Sequence, residues 1–402
     1  MKKAKYGIST LVNHFRQSPQ TPNPHISPIY QTSAFRFEDV ESGSAAFQGD
    51  KKNFIYTRMD NPNHLQVVDK IAALECIDLQ EQAEGYLFSS GMAAITSAIS
   101  AVVKSGETLI AQQNIYGSTN SLLKQLQEQN KLNIVWLPTG SPDEWEQAFA
   151  KFPNAKLAYA ETPSNPNLSV IDLESVAEIA HKYQSWLLVD NTFASPYCQR
   201  PFNQGTDIII HSTTKYLSGH GVIIGGIALS RHKEWVKNSL YSFVKLFGAT
   251  PSPFDAWLTE IGLKTFELRM QRHCENAMKI ATWLQNQPIV SRVFYPGLLS
   301  HPQFNVAQKQ MLAFGGMLAF ELSGGLPAGI QFMNHLELMS IVPTLGNVDT
   351  LVQHPASMSH VSVPREERIK VGVSDGLIRV SVGIENVEDL IADLDQALSF
   401  AN

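Results

Sequence analysis

The chain has 402 residues, a formal charge of −6, and 44% hydrophobic against 17% charged residues, the balance of a soluble globular protein with a substantial core. Its scattered basic residues argue against a nucleic-acid or membrane-surface partner, and no apolar run approaches the roughly 18–20 residues of a membrane span. The three separated cysteines, Cys76, Cys198 and Cys274, form no CxxC, which argues against a disulfide framework or zinc site, and MKKAKYGIST lacks the apolar stretch of a signal peptide, so a cytoplasmic location is expected.

Residues 1–60 show weak periodicity and polar stretches such as QSPQTPNPH (17–25), which reads as an extended N-terminal arm. From 61 the pattern alternates: helical NHLQVVDKIAALE, strand GYLF (85–88), helix MAAITSAISAVV (92–103), strand ETLIA (107–111), helix SLLKQLQEQ (121–129) and strand NIVWL (133–137). Strands KLAYAE (156–161), SWLLVD (185–190) and DIIIH (207–211) follow. Between the first two, DLESVAEIAHKYQ (172–184) places Leu173, Val176, Ala177, Ala180 and Tyr183 on one helical face. Strands separated by helices predict βαβ units, hence an α/β fold with a large, mostly parallel sheet covered on both sides.

Near 250 the pattern changes. Residues 252–285 read as a long helix interrupted at Gly262, followed by strands MLAFEL (317–322) and LIRVSVGI (377–384). A last helix, VEDLIADLDQALSFA, starts with Asn386 as N-cap and Glu388 and Asp389 in its first turn. The expected organisation is an arm over 1–60, a ligand-binding domain over 61–250 and a smaller α/β domain over 251–402.

Chemistry gathers at the strand ends. In FSSGMAAI (88–95) a strand, a glycine turn and a helix leave the amides of Gly91 and Met92 free as an anion site, although an ordinary βα turn reads the same. SWLLVD closes on Asp190, a carboxylate costly to bury without a partner. In HSTTKYLSGHG (211–221), Lys215 follows an apolar strand between the hydroxyls of Ser212 and Thr214 and a glycine-rich turn. Strand mouths of open α/β sheets are where ligands bind. An anion cradle, a buried carboxylate and a lysine able to lose its proton together fit pyridoxal 5′-phosphate.

Other motifs fit less well. GHGVIIGG (219–226) lacks the GxGxxG spacing and follows the lysine instead of opening a βα unit. GVSDG (372–376) matches the GxSxG of serine hydrolases, but charged PREERIKV precedes it and strand-like LIRVSVGI follows. No HExxH or Walker lysine motif is present, and no metal site is expected.

YTRMDNPN (56–63), SSGMAAI, YGST, ETPSNP, VDNTFASP, HSTTKYLSGH, LRMQRHCENA, HPASMSH and LIRVSVGIE (377–385) recur in one family. On these motifs the chain resembles, nearly end to end, the Cys/Met-metabolism group of fold-type-I pyridoxal-phosphate enzymes. That group holds cystathionine γ-synthases, cystathionine lyases, methionine γ-lyases and O-acylhomoserine sulfhydrylases. The resemblance implies that Lys215 carries the cofactor as a Schiff base, Asp190 pairs with its ring nitrogen and Tyr116 stacks on its ring. Gly91, Met92, Ser212 and Thr214 match phosphate-binding positions. Tyr56 and Arg58 match residues that reach the phosphate of a neighbouring subunit, which implies a dimer with shared active sites, doubled into a homotetramer.

For the substrate, a small amino acid, the resemblance implies that Arg379 grips the α-carboxylate with Asn165 and Thr344 beside it, and that Tyr116 is a candidate acid for the departing sulfur. Two positions depart from family patterns. Ser118 stands where methionine γ-lyases carry cysteine, and Pro343 where cystathionine γ-synthases and γ-lyases carry glutamate. TLGNVDTLVQHPASMSH is nearest to methionine γ-lyases and sulfhydrylases. The expected activity is carbon–sulfur lysis by β- or γ-elimination from cystathionine or methionine. The alternative is O-acylhomoserine-dependent γ-replacement.

Overall fold

A computed structural model of the chain describes residues 6–14, 24–49, 53–370 and 372–401. Most of QSPQTPNPH and the first five residues lie outside the described residues. Strands β1 (Glu84–Phe88), β2 (Thr108–Gln112), β3 (Asn133–Leu137), β4 (Leu157–Glu161), β5 (Trp186–Asp190), β6 (Ile208–His211) and β7 (Gly226–Ser230) form one sheet in the order β1-β7-β6-β5-β4-β2-β3. β7 runs antiparallel to both its neighbours, and the other pairs are parallel. β7 goes unpredicted because it follows β6 with no helix between them, outside the strand–helix alternation of the other strands. Successive β5 residues feed opposite faces: Leu188 packs with Phe88, Ile95 and Ile210, whereas Leu187 and Val189 pack with Ile110, Trp145 and Val176. A strand buried on both faces must be apolar throughout, which is why these runs were legible.

The helices obey ordinary end chemistry. Asn61, Ser90, Ser141 and Asp172 each accept a hydrogen bond from a first-turn amide, at Pro62–Glu75, Gly91–Val102, Pro142–Lys151 and Leu173–Lys182 respectively. Asn386 sits at the expected N-cap of Val387–Leu398, but its side chain makes no capping bond. The supposed arm is not uniformly extended. Ile8–His14 is a helix that buries Ile8 and Val12 in the core beside Ile71 and Met270, and Val40–Phe47 is a second helix.

The long helical stretch breaks at Lys264–Thr265 into Pro253–Leu263 and Phe266–Leu284. Gly262 is not the break. A side chain there would meet the Ser218 carbonyl at 2.2 Å, so the glycine admits the chain that follows Lys215. The second sheet, β8 (Val290–Phe294), β9 (Met317–Leu322), β10 (Ser340–Ile341), β11 (Leu351–Gln353) and β12 (Leu377–Ser381), has the order β10-β11-β12-β9-β8. β12 ends at Ser381, short of the predicted 384, because Val382 and Ile384 turn to bond Gly316 and Val348. GVSDG lies between a helix, Arg365–Lys370, and strand β12, the reverse of a nucleophile elbow.

Candidate active site

The parallel strands of the large sheet end together, and the residues after them converge. β6 delivers His211, and the tight turn behind it, with Lys215 N–H donating to Ser212 O at 3.2 Å, carries Lys215 to the strand mouth. Its Nζ donates to Thr344 Oγ1 at 2.7 Å. Burial, and then the Arg379 charge, lower its pKa from 10.5 to about 8. The lysine is therefore within reach of its neutral form at physiological pH.

Asp190 ends β5 and is 8% exposed. Burial raises its pKa, against the opposing pull of hydrogen bonds from Thr192, whose amide donates at 3.0 Å. No lysine or arginine pairs with it among the described residues, so a cation brought into the crevice would recover the cost of burying its charge.

Ser90 caps the helix Gly91–Val102, which points its free amides, beginning with those of Gly91 and Met92, at the same crevice. Gly91 lies against Ser212: a side chain at 91 would meet Ser212 Cβ at 2.9 Å. Thr214 Oγ1 exchanges hydrogen bonds with Gly225 at 3.2 and 2.9 Å. A helix N-terminus, two hydroxyls, an unpaired buried carboxylate and a lysine of lowered pKa make a donor set that fits pyridoxal phosphate.

Arg379, on β12, reaches across from the second sheet. Its Nη1 donates to Asn165 Oδ1 at 3.1 Å and its Nη2 to the Thr344 carbonyl at 3.0 Å. Its Nε is buried without a partner, and burial lowers its pKa to about 10. A buried guanidinium with an unused N–H is poised to receive an anion. Beside it opens a cavity of about 690 Å³ lined by Tyr116, Asn165 and Arg379 together with Ser118, Gln125 and His360. Pro343 also lines it, and no carboxylate does among the described residues.

Tyr56 and Arg58 stand apart. The Arg58 guanidinium lies over the Tyr56 ring, 5.6 Å from its centroid, and donates to the Lys245 carbonyl, while Tyr56 is 41% exposed. Neither lines the cavity.

Other participants escaped the sequence reading. Arg269, buried, donates to the carbonyls of Tyr216 (2.8 Å) and Gly262 (2.9 Å) and braces the turn behind Lys215. Thr192 links Asp190 to Ser212, whose amide donates to its hydroxyl at 2.9 Å. Glu161 ends β4 next to Asp190 and bonds two amides of the site. Their signal was membership of the motifs LRMQRHCENA, VDNTFASP and ETPSNP, which gave no contact.

Known proteins resemble this chain over nearly its whole length. A family model described as Cys/Met metabolism PLP-dependent enzyme matches residues 9–399. The chain is 42% identical over 400 residues to an L-methionine gamma-lyase of Fusobacterium nucleatum subsp. polymorphum, covering 99% of each chain. It is 38% identical over 396 residues to a cystathionine beta-lyase of Coxiella burnetii, covering 98% of each. It superposes with a TM-score of 0.90 and 36% identity, over 98% of each chain, on the cystathionine gamma synthase from Xanthomonas oryzae pv. oryzae in complex with cystathionine.

Proposed function

Because the chain belongs to the Cys/Met metabolism family of pyridoxal-phosphate-dependent enzymes, we propose that it is a carbon–sulfur lyase acting on a thioether or thiol amino acid with an uncharged distal end, methionine being the simplest. The observation that carries this choice is the cavity beside Arg379. Beyond Tyr116, Asn165 and Arg379 its polar wall consists of serines, glutamines and His360, with Pro343 in place of an acid, so among the described residues no carboxylate there pairs with the distal ammonium of cystathionine. Relatives named methionine gamma-lyase at about this distance support the reading.

When bound, the cofactor supplies an aldehyde for attachment to an amine and a protonated ring that withdraws electrons from the substrate α-carbon. The chain does the rest. Gly91 and Met92 amides with Ser212 and Thr214 hydroxyls hold a phosphate, and Asp190 holds a cationic ring nitrogen. Tyr116, at the cavity wall, would lie against the ring. Arg379 and Asn165 fix the substrate carboxylate, which aligns the α-hydrogen toward Lys215. Lys215, its neutral form made accessible by burial and its Nζ steered by Thr344 Oγ1, takes that proton and returns it elsewhere on the carbon chain. Tyr116 protonates the departing sulfur. For methionine the balance is one water consumed, with methanethiol, ammonia and a four-carbon α-keto acid released.

Tyr56 and Arg58 serve the site of a second copy, since they lie outside the cavity of their own chain, and two such dimers form the tetramer. Exposed Val222, Ile224 and Phe254 supply apolar surface for that assembly. No described helix is long and apolar enough to cross a membrane, and all three cysteines are free; we place the enzyme in the cytoplasm.

The test is a substrate panel of methionine, homocysteine, cysteine, cystathionine, and O-acylhomoserine with sulfide, scored for α-keto acid and for new thiol or thioether. Methionine or homocysteine should give the highest kcat/KM for α-keto acid. Preference for cystathionine overturns the distal-end argument, and net replacement of the acyloxy group overturns the lyase reading.

A further inference from the structure

Glu161 occupies the end of β4, directly beside Asp190 in the adjoining parallel strand, and is 4% exposed. Its backbone is locked by Gln112, which accepts from Glu161 N–H at 3.1 Å and donates to the Glu161 carbonyl at 2.9 Å. Both carboxylate oxygens are committed. Oε2 accepts from the backbone amide of Tyr116 at 2.8 Å, and Oε1 from the backbone amide of Asn165 at 2.8 Å.

Two N–H groups arriving at one side chain call for a group with two acceptor oxygens and no donor. A carboxyl group offers an acceptor oxygen to each, whereas an amide would turn its NH2 toward one of the two N–H groups. The arrangement is costly. Burial and the Asp190 charge push the Glu161 pKa up to about 8, with the two amide bonds pulling it back. A carboxyl held there against such a cost, with an amide N–H on each oxygen, points to a task that an amide side chain cannot perform.

The amides it holds belong to Tyr116, which forms one wall of the cavity, and to Asn165, which accepts from Arg379 at 3.1 Å. These residues lie on separate loops, one after β2 and one after β4. Asn114 also ties the two loops, its Nδ2 donating to Ser164 Oγ at 2.8 Å and Ser169 Oγ at 3.1 Å, but the contact that reaches the backbones of Tyr116 and Asn165 themselves is the Glu161 carboxylate. We propose that Glu161 is a positioning residue of the reaction: its carboxylate clamps the backbones of Tyr116 and Asn165 and sets the spacing between the aromatic wall and the Asn165–Arg379 pair. The inference rests on the roles given to Tyr116, Asn165 and Arg379 above. Glu161 itself does not touch substrate.

Glu161→Gln keeps the shape and loses one of the two acceptors. Leaving one of the two buried N–H groups without an acceptor corresponds to a fall of about 10- to 100-fold in kcat/KM. The experiment compares wild type, Glu161→Gln, Glu161→Asp, Asn165→Ala and the double variant Glu161→Gln/Asn165→Ala, each loaded with pyridoxal phosphate. It reads kcat and KM separately on the best amino-acid substrate, and the visible circular dichroism of the bound cofactor without substrate. Expected results are retained cofactor, altered dichroism from a shifted Tyr116, and a raised KM. The factor lost to Glu161→Gln should also be much smaller in the Asn165→Ala background, because the clamp then has less to position.

Glu161→Asp, charged but one methylene shorter, should also lose activity. Full kcat/KM with unchanged dichroism in Glu161→Gln overturns the proposal, as do losses that simply multiply in the double variant. If neither Glu161 variant folds and binds the cofactor, the carboxylate serves the fold and the proposal also fails. Should the wild-type protein turn over no sulfur amino acid, the substrate reading fails, and the substrate-free dichroism still decides whether Glu161 holds Tyr116.

Discussion

Arg379→Lys separates the grip on substrate from the electrostatics of Lys215. The arginine spends Nη1 on Asn165 and Nη2 on the Thr344 carbonyl, and keeps a buried, unpartnered Nε–H for an incoming carboxylate. Lysine in its place retains the charge as a point and cannot present parallel donors. A lost bond to a charged group costs roughly 1.5–3 kcal/mol. Since about 1.4 kcal/mol is a factor of ten, the variant should lose about 10- to 100-fold in kcat/KM. The same charge helps hold the Lys215 pKa down at about 8. Uptake of pyridoxal phosphate by the cofactor-free protein requires a neutral Lys215, so its rate should rise through a midpoint near that pH. In Arg379→Lys the midpoint should stay put; in Arg379→Leu, where the positive charge is gone, it should move upward. Stopped-flow absorbance between pH 6 and 10 reads the midpoint, and steady-state turnover reads the grip. Full kcat/KM in Arg379→Lys, or an equal midpoint shift in both variants, refutes the reasoning.

Lys215→Met should stabilise the cofactor-free protein. The lysine pKa falls from 10.5 to about 8 on folding, at about 1.4 kcal/mol per unit. Wild type therefore carries a penalty of roughly 3 kcal/mol that is full below pH 8, shrinks between 8 and 10.5 and vanishes above. Urea titrations of both proteins across that range should converge at high pH, and a constant difference would contradict the depressed pKa. Lys215→Ala should bind the cofactor without covalent attachment, so borohydride treatment should leave the protein unlabelled, and turnover should be lost. Mixing inactive Arg58→Ala with inactive Lys215→Ala subunits should restore part of the activity through one intact hybrid site; no recovery despite demonstrated subunit exchange argues that each chain completes its own site.

The strands of the large sheet other than β7 were legible because each rests on information within a short window. A parallel strand covered on both faces must be apolar along its whole length, so Asp190 and Lys215 stand out as the charged residues that end or follow such runs. Helix starts are equally local, since Asn61, Ser90 and Asp172 cap through amides two or three residues away, although Asn386, the one cap predicted, makes no such bond. Residue types and their motif surroundings were enough to nominate a lysine, a carboxylate and an anion cradle, and so a cofactor.

What the sequence left open depends on groups far apart in the chain. Thr344 Oγ1 meets Lys215 across 129 positions, and Arg379 meets Asn165 across 214. No periodicity carries that information; packing of the second sheet against the mouth of the first does. Direction was also hidden. GIALS has the composition of a parallel strand, and its antiparallel course follows from pairing with β1 and β6. Glu161 is the plainest case. In the sequence it is a carboxylate ending a strand, indistinguishable from a turn starter. Its meaning appears only when folding brings the amides of residues 116 and 165 to its two oxygens, because a hydrogen bond is specified by position in space and not by distance along the chain.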